Sequence, residues 1–364
     1  MRISLVITGL QMGGAEKQVC DLADELSSHG HSIQLISLSG KTILRPQNKS
    51  VEFVELSMKR NPFSFLKAYF QARKKIIVFQ PDIVHSHMVH ANIFARLLRI
   101  TTFIPKLITT SHNTYEGGSL RAFICRITDP LSTISTNVSQ EATESIIKRG
   151  SVNKKKITTV HNGINTENFR FSEANREKLR REIGVDRQTP LLLSVGRLAP
   201  AKDYPNLLRA FTAIKGRTPV EPQLAIIGGG ALEAELKALT IELGVANRVH
   251  WPGIKTNVNE WMSAADIFVL SSAWEGFGLV VAEAMCAERV LVATDCGGIK
   301  EVLGGNGFLV PPHSSAALAE AIIKALTLSP EEARQMGAAS RCHVEQHFSM
   351  SAIAKKWIEL YRSL

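Results

Sequence analysis

The sequence predicts two doubly wound α/β domains facing each other across a cleft, each a parallel sheet with helices on both faces. Three observations carry that prediction. Near-continuous apolar runs rich in β-branched residues alternate with helical stretches along the whole chain, the pattern of strands buried on both faces. The length of 364 residues suits two domains of roughly 150 residues each. The alternation breaks once, in the charged segment 165–188, and then restarts. That segment reads as a linker, dividing the chain into a first domain at 1–165 and a second at 166–349.

Each element follows from the pattern in turn. In the first domain, strands are expected at 3–8, 33–37, 83–87, 107–110, 134–138 and 157–161, with helices at 15–28 and 139–149 among those between them. In the second, strands are expected at 191–195, 224–227, 267–270 and 290–294, and helices at 204–214, 232–243 and 279–286. A last helix is expected at 350–364, carrying Trp357, Leu360 and Tyr361. In open sheets of this kind ligands sit outside the carboxyl ends of the strands.

Composition narrows the class of protein. Hydrophobic residues make up 45% and charged residues 21%, an ordinary globular balance that does not suit a disordered, collagenous or coiled-coil chain. No apolar run approaches the roughly 18 residues of a membrane-spanning helix. The start, Met1-Arg2-Ile3-Ser4-Leu5, lacks the length and cleavage site of a signal peptide. Five scattered cysteines form no CxxC pair, which argues against a disulfide framework or a zinc knuckle and for a reducing, cytoplasmic setting. The net charge of +10 is unevenly spread: residues 1–170 carry 22 basic and 12 acidic residues, whereas residues 171–364 carry 21 of each. A basic first half draws phosphates, nucleic acid or anionic lipid. No helix-turn-helix, zinc or RNA-recognition motif accompanies it, so no nucleic-acid partner is expected.

Three loops carry candidate chemistry. Gly13-Gly14 follows the first strand and opens a helix, whose free amides and dipole suit an anion. The spacing is not that of a dinucleotide fingerprint, and a tight turn with no ligand is the competing reading. In the second domain, Gly196-Arg197-Leu198-Ala199-Pro200-Ala201-Lys202-Asp203 places two cations on a strand-end loop. Arg197 could bind a diphosphate through its planar fork and Lys202 as a point charge. The strongest pattern is Glu275-Gly276-Phe277-Gly278-Leu279-Val280-Val281-Ala282-Glu283-Ala284-Met285. Glu283 lies inside an otherwise apolar helix, where a carboxylate needs a hydrogen-bonding partner, and a pair of ligand hydroxyls would serve. Glu275 precedes the helix, and the amides at Phe277, Gly278 and Leu279 can hold phosphate.

At this point the sequence resembles a known family. Two glutamates within EGFGLVVAEAM look like the signature of retaining glycosyltransferases of the GT-B fold, family 4. The resemblance covers nearly the whole chain: Gly13-Gly14-Ala15-Glu16, Pro81-Asp82-Ile83-Val84-His85-Ser86-His87, His161-Asn162-Gly163-Ile164, Gly196-Arg197-Leu198 with Lys202-Asp203, and Gly228-Gly229-Gly230 follow in the family's order. It implies an acceptor-binding first domain, to which the helix at 350–364 returns, and a nucleotide-sugar-binding second domain.

Residue by residue, the resemblance implies that Arg197 and Lys202 neutralise the diphosphate, helped by Gly14. Glu283 would accept the ribose hydroxyls and Glu275 would hold the donor sugar. Ile254, in Trp251-Pro252-Gly253-Ile254, would neighbour the base. Gly13, Asn162, Gly228, Phe277, Gly278 and Leu279 would complete the donor site, and His112 would contact the transferred sugar. The family implies retention of configuration by front-face attack, with the leaving phosphate assisting the acceptor hydroxyl. None of the eight aspartates forms a DxD triplet, so no metal or other cofactor is expected, with the two cations meeting the charge of the leaving group.

The expected reaction moves a hexose or N-acetylhexosamine, UDP-linked by family frequency, to a saccharide acceptor, lipid-linked in bacterial surface polysaccharide assembly. The first domain interleaves Lys59-Arg60, Lys67 and Arg73-Lys74-Lys75 with Phe63, Leu66, Tyr69 and Phe70. Such a stretch can lie on an anionic membrane, giving an expectation of peripheral attachment at the inner face of the cytoplasmic membrane. A competing reading packs Phe63, Leu66, Phe70 and Ile77 onto the sheet. Two other functions stay open from sequence: another GT-B enzyme such as a sugar-nucleotide epimerase, and a non-enzymatic basic binding protein.

Overall fold

In the computed structural model, which describes residues 1–114 and 117–364, the apolar runs form two separate parallel sheets. The chain divides into one unit at Met1–Gly163 with Met350–Leu364, and a second at Ile164–Ser349.

The first unit holds seven strands: β1 (Arg2–Ile7), β2 (Ser32–Ser39), β3 (Glu52–Met58), β4 (Ile83–His87), β5 (Lys106–Ser111), β6 (Ile134–Asn137) and β7 (Ile157–Thr159). Their order is β3-β2-β1-β4-β5-β6-β7. The chain winds outward from β1 in one direction and from β4 in the other, so the order reverses between those two strands. One face is closed by the helices Gly14–Ser28 and Met350–Ser363. There Ile3, Leu5, Leu22 and Leu26 pack with Ile353, Trp357 and Tyr361 in one core. The opposite face packs Val6, Ile36, Ala72, Ile76, Phe94 and Leu98.

The second unit holds six strands: β8 (Leu191–Val195), β9 (Gln223–Ile227), β10 (Val249–Gly253), β11 (Ile267–Leu270), β12 (Val290–Thr294) and β13 (Phe308–Val310). Their order, β10-β9-β8-β11-β12-β13, reverses between β8 and β11. Leu192, Phe211, Ile226, Val269, Val292 and Ile322 lie in its core.

Three strands escaped the sequence pattern: β3, β10 and β13. All three lie at sheet edges. An edge strand meets water along one side, so it needs no continuous apolar run; β3 alternates exposed and covered residues and carries Glu52 and Glu55.

The segment expected as a linker is instead part of the second unit. The helix Glu173–Glu182 is capped by Ser172, and its Leu179 and Arg180 are almost wholly buried. Charge misled because the charges have internal partners. Arg176 meets Asp266 Oδ1 at 2.6 Å, and Arg180 donates to the Ala264 carbonyl at 2.7 Å and the Asp186 carbonyl at 3.0 Å.

The helix Pro62–Phe79 settles the competing reading of its aromatic stripe. It buries Ala68, Ala72, Ile76 and Phe79. Phe63, Leu66, Phe70 and Ile77 are exposed, Phe63 at 86%. The small residues face the sheet because they let the helix approach it closely.

Candidate active site

The second sheet reverses between β8 and β11, and the loops leaving those two strands carry the predicted cation and carboxylate. Lys202 Nζ donates to Glu275 Oε1 at 2.5 Å, with only 19% and 15% of the two side chains exposed. Ser272 Oγ donates to the same carboxylate oxygen at 2.7 Å. Ser271 Oγ donates to the Lys202 carbonyl at 2.8 Å, and the Ala273 amide to the Ala201 carbonyl at 2.9 Å. The loops are thereby stitched together around one partly buried ion pair. Removing either partner would strand the other charge in a poorly hydrated place, so each fixes the other.

Close backbone approach explains the glycines here. A Cβ at Gly228, where φ is +147°, would stand 1.9 Å from the Gly196 carbonyl oxygen. At Gly297, φ +58°, it would stand 2.0 Å from the Glu275 carbonyl oxygen. No side chain fits at either place. Gly229 lies under Ile254, whose Cδ1 is 2.9 Å from the position of a Cβ there; Ile254 itself is 67% exposed. Arg197, on the loop with Lys202, is exposed and has no ion-pair partner among the described residues. Tyr204 donates to the Gly196 carbonyl at 3.2 Å, and burial pushes its phenol pKa up.

The helix Leu279–Cys286 begins at Gly278, whose left-handed φ of +86° turns the chain into the helix. Phe277 is buried against Phe348, ring centroids 5.4 Å apart and edge to face. Glu283 is half-buried, one helical turn beyond Leu279, between the buried Ala282 and Ala284. Helix start and carboxylate thus stand on one short element, the former offering amides to an anion and the latter an acceptor for hydroxyls.

In the first unit, Gly13 is the N-cap of Gly14–Ser28. Its φ of −163° is extended backbone that any residue adopts. The crowding is with a side chain: a Cβ would lie 2.3 Å from the Glu16 carboxylate. Asn162 is buried, and next to it the Gly163 amide donates to Gln18 Oε1 at 3.1 Å.

His112 follows β5, in register beyond the partners of β4, where His85 pairs with Ile108 and His87 with Thr110. Its Nε2 lies 3.2 Å from His87 Nδ1. His85 is fixed by Tyr361 Oη at 2.7 Å from Nδ1 and Thr110 Oγ1 at 2.6 Å from Nε2. Its ring packs at a tilt of 38° against His87 with centroids 4.0 Å apart, and Trp357 covers it at 4.4 Å. Burial holds His85 and His87 well below the usual imidazole range and pushes His112 down to about 4, so all three are neutral at pH 7. Immediately after His87 the chain takes a left-handed turn at Met88, φ 73°, the type of strained residue that gathers at functional sites.

Of the residues singled out from sequence, the second unit brings Lys202 and Glu275 into contact, Ile254 over Gly229, and Phe277, Gly278, Leu279 and Glu283 onto one helix start. Sequence reasoning missed Ser272, a direct partner of Glu275, and the role of His85 and His87 beside His112. The signal for the histidines was His85-Ser86-His87, since residues two apart on a strand share a face.

Comparisons with known proteins agree with this architecture. Residues 12–168 match the family model described as Glycosyltransferase Family 4, and residues 175–343 the model described as Glycosyl transferases group 1. The chain is 26% identical to N-acetyl-alpha-D-glucosaminyl L-malate synthase of Bacillus anthracis, over 99% of this chain and 97% of that one. It is also 26% identical to the N-acetylgalactosamine-N,N'-diacetylbacillosaminyl-diphospho-undecaprenol 4-alpha-N-acetylgalactosaminyltransferase of Campylobacter jejuni, over 84% of each. Among solved structures, HepE of Anabaena in complex with UDP and glucose matches all of both chains with a TM-score of 0.87 at 20% identity. WaaG, a glycosyltransferase involved in lipopolysaccharide biosynthesis, matches 99% of both chains with a TM-score of 0.76 at 18% identity. The fold is GT-B. With both family models and these relatives on it, the chain is a GT-B glycosyltransferase, not a non-enzymatic binding protein.

Proposed function

We propose that this enzyme transfers a hexosyl or N-acetylhexosaminyl group from a UDP-sugar to a hydroxyl of a lipid-linked saccharide, with retention of anomeric configuration and without a metal ion, in the assembly of a bacterial surface polysaccharide. The observation that carries the proposal is the loop cluster at the reversal of the second sheet. It combines Arg197, which has no ion-pair partner among the described residues, the partly buried Lys202–Glu275 pair and a glycine-lined backbone. Charge builds on the diphosphate as the sugar bond breaks, and pre-placed cations lower the energy of that state more than of the ground state.

Glu275 is held by Lys202 and Ser272. That restraint suits a group positioning sugar hydroxyls and disfavours the attacking carboxylate of retaining glycosidases. Glu283 receives the ribose hydroxyls, Ile254 covers the base and the amides of Gly278 and Leu279 face phosphate. In the first unit, Gly13, Gly14 and Asn162 take donor-binding roles and His112 contacts the transferred sugar. The UDP donor is supported by the HepE complex and the lipid-linked acceptor by the name of the Campylobacter relative. An epimerase of the same fold finds no support, since the relatives described above are named as transferases or a synthase.

The first unit supplies the basis for a membrane contact. Phe63, Leu66, Phe70, Ile100, Phe103, Leu120, Phe123 and Ile127 are all exposed. They lie on the helix Pro62–Phe79, at or after the end of Val89–Thr101, and on Ser119–Thr128. Tyr69 ties the first of these helices to the second through Thr101 Oγ1 at 2.7 Å. Lys67, Lys74, Arg121 and Arg126 stand among them. Apolar groups that enter the acyl boundary, flanked by cations worth about 1 kcal/mol each near an anionic leaflet, suit peripheral attachment. Among the described residues no helix is long and apolar enough to cross a membrane.

A thermal-shift panel of UDP-, GDP- and ADP-sugars in EDTA tests the donor. The proposal expects stabilisation by UDP-sugars that is lost in Arg197→Ala and Glu283→Ala. Stabilisation that needs Mg²⁺, or survives both substitutions, would refute the assignment. Flotation with anionic and neutral liposomes tests the membrane contact: binding to the former should fall in Phe63→Ser/Phe70→Ser, and a wild-type protein left unbound at low salt would remove it.

A further inference from the structure

We infer that His87 is a positioning residue that locks His112 as the Nδ1–H tautomer, turning it into a fixed, neutral hydrogen-bond donor. The inference rests on the reading of His112 as a sugar-contacting residue and adds what sets its chemistry. Two neutral imidazoles, His87 and His112, share one contact between Nδ1 and Nε2 at 3.2 Å. The remaining nitrogens, His87 Nε2 and His112 Nδ1, are buried and have no hydrogen-bond partner among the described residues. Each neutral ring carries one N–H, so only two arrangements are open. Either His87 donates from Nδ1 and His112 carries its proton on Nδ1, or His112 donates from Nε2 and His87 carries its proton on Nε2.

Both arrangements leave one buried N–H and one bare ring nitrogen unpaired. They differ in which residue holds the N–H. An orphaned N–H is the costlier defect and the rarer one in native proteins. His87 is 1% exposed, packed under the His85 ring, where no acceptor can reach it. His112 Nδ1 is buried as well, but His112 as a residue is partly exposed just beyond β5, so that a small side-chain shift there can bring Nδ1 to a ligand oxygen as the missing acceptor. The unpaired N–H therefore belongs on His112 Nδ1, and His87 must be the donor to Nε2.

The surroundings keep His87 in the geometry this requires. His85 packs against it, tilted, at 4.0 Å and is itself pinned by Tyr361 and Thr110, with Thr110 Oγ1 in turn 2.6 Å from Thr136 Oγ1. The left-handed Met88, φ 73°, fixes where β4 ends. His112 then meets a sugar oxygen as a donor already aimed and uncharged, with no reorganisation at the moment of reaction.

Nitrogen-15 NMR of the histidine-labelled enzyme tests the assignment directly. In the wild type, His112 Nδ1 should resonate as a protonated nitrogen and Nε2 as a bare one. His87→Phe, which keeps a ring but has no donor, should release His112 into a mixture of tautomers and lower turnover of UDP-glucose, UDP-galactose or their N-acetyl forms roughly tenfold. His87→Asn, whose amide can donate from near the Nδ1 position, should restore both the single tautomer and most of the activity. An Nε2–H tautomer in the wild type would overturn the lock, as would a His87→Phe enzyme that keeps a pure Nδ1–H signal. Should His87→Phe fail to fold, the wild-type spectrum and the Asn variant still decide the question. The reading of His112 itself fails separately: full activity in His112→Ala would refute the sugar contact while leaving the tautomer result standing.

Discussion

At the carboxyl edge of the second sheet a lysine and a glutamate form a partly buried ion pair; at the carboxyl edge of the first, three histidines are kept neutral by desolvation. Both clusters occupy strand ends near the point where the strand order reverses, and both are held by hydroxyl groups: Ser272 on Glu275, Thr110 and Tyr361 on His85. Under the proposed function, the difference lies in what each would meet. A departing diphosphate gains charge, and a cation held in a place of low hydration acts on it strongly. A sugar hydroxyl gains little charge, and a neutral donor suits it without the cost of burying an ion. One fold used twice thus supplies opposite electrostatics from the same topological position.

The comparison breaks most visibly at Lys202. Lys202→Ala should lower kcat by about 10²–10³-fold, the scale seen when a preorganised charge-stabilising group is removed. It should also destabilise the fold by about 1–3 kcal/mol by leaving Glu275 without its cation. The double substitution Lys202→Met/Glu275→Met should recover much of that stability in urea titrations and none of the activity. Recovered activity would show the pair to be structural only.

Trp357→Ala comes next in size. It removes the ring that covers His85 and opens the core under β1, at an expected cost of about 3–5 kcal/mol in chemical denaturation. A loss well below 1 kcal/mol would mean that the returning helix does not hold the first unit together.

The histidines predict a pH dependence. His112 is pushed down to about 4 from 6.5 by burial, with His85 and His87 moved the same way. Below about pH 6.5 the unfolded chain takes up protons that the native state refuses, so stability should fall as pH drops from about 6.5 towards 4 and be indifferent to these groups above that range. Urea midpoints at pH 7.5 and 5 should show the decline, and His85→Gln or His112→Gln should flatten it. A steeper decline in those variants would mean that the native state binds the protons after all.

Smallest of all is Ile254→Ala. Its side chain is mostly exposed, so nucleotide affinity should fall a few-fold with the melting temperature unchanged. An unchanged affinity would remove Ile254 from the base contact.

Much of this was legible in the residues, and the failures share a cause. Strands buried on both faces, such as β4 and β12, announce themselves as apolar runs. The edge strands β3, β10 and β13 do not, because one side of each meets water. The helix Glu173–Glu182 looked like a linker because Arg176 and Arg180 find their partners at Ala264, Ala265 and Asp266, far away in sequence. The same holds at the site. Lys202 and Glu275 were legible one at a time, but no local pattern says that residues so far apart in the chain are paired. His112 was singled out through its resemblance to a family; that His87 lies against it follows only from the register of β4 and β5.

Hydrolysis of a UDP-sugar by the enzyme in EDTA, with the first-formed anomer of the released sugar followed by NMR, tests the central claim without any knowledge of the acceptor. The account predicts turnover that Mg²⁺ does not change, releasing sugar with the anomeric configuration it had in the donor and falling by about 10²–10³-fold in Lys202→Ala. First release of the opposite anomer, or turnover that appears only when Mg²⁺ is restored, would contradict it.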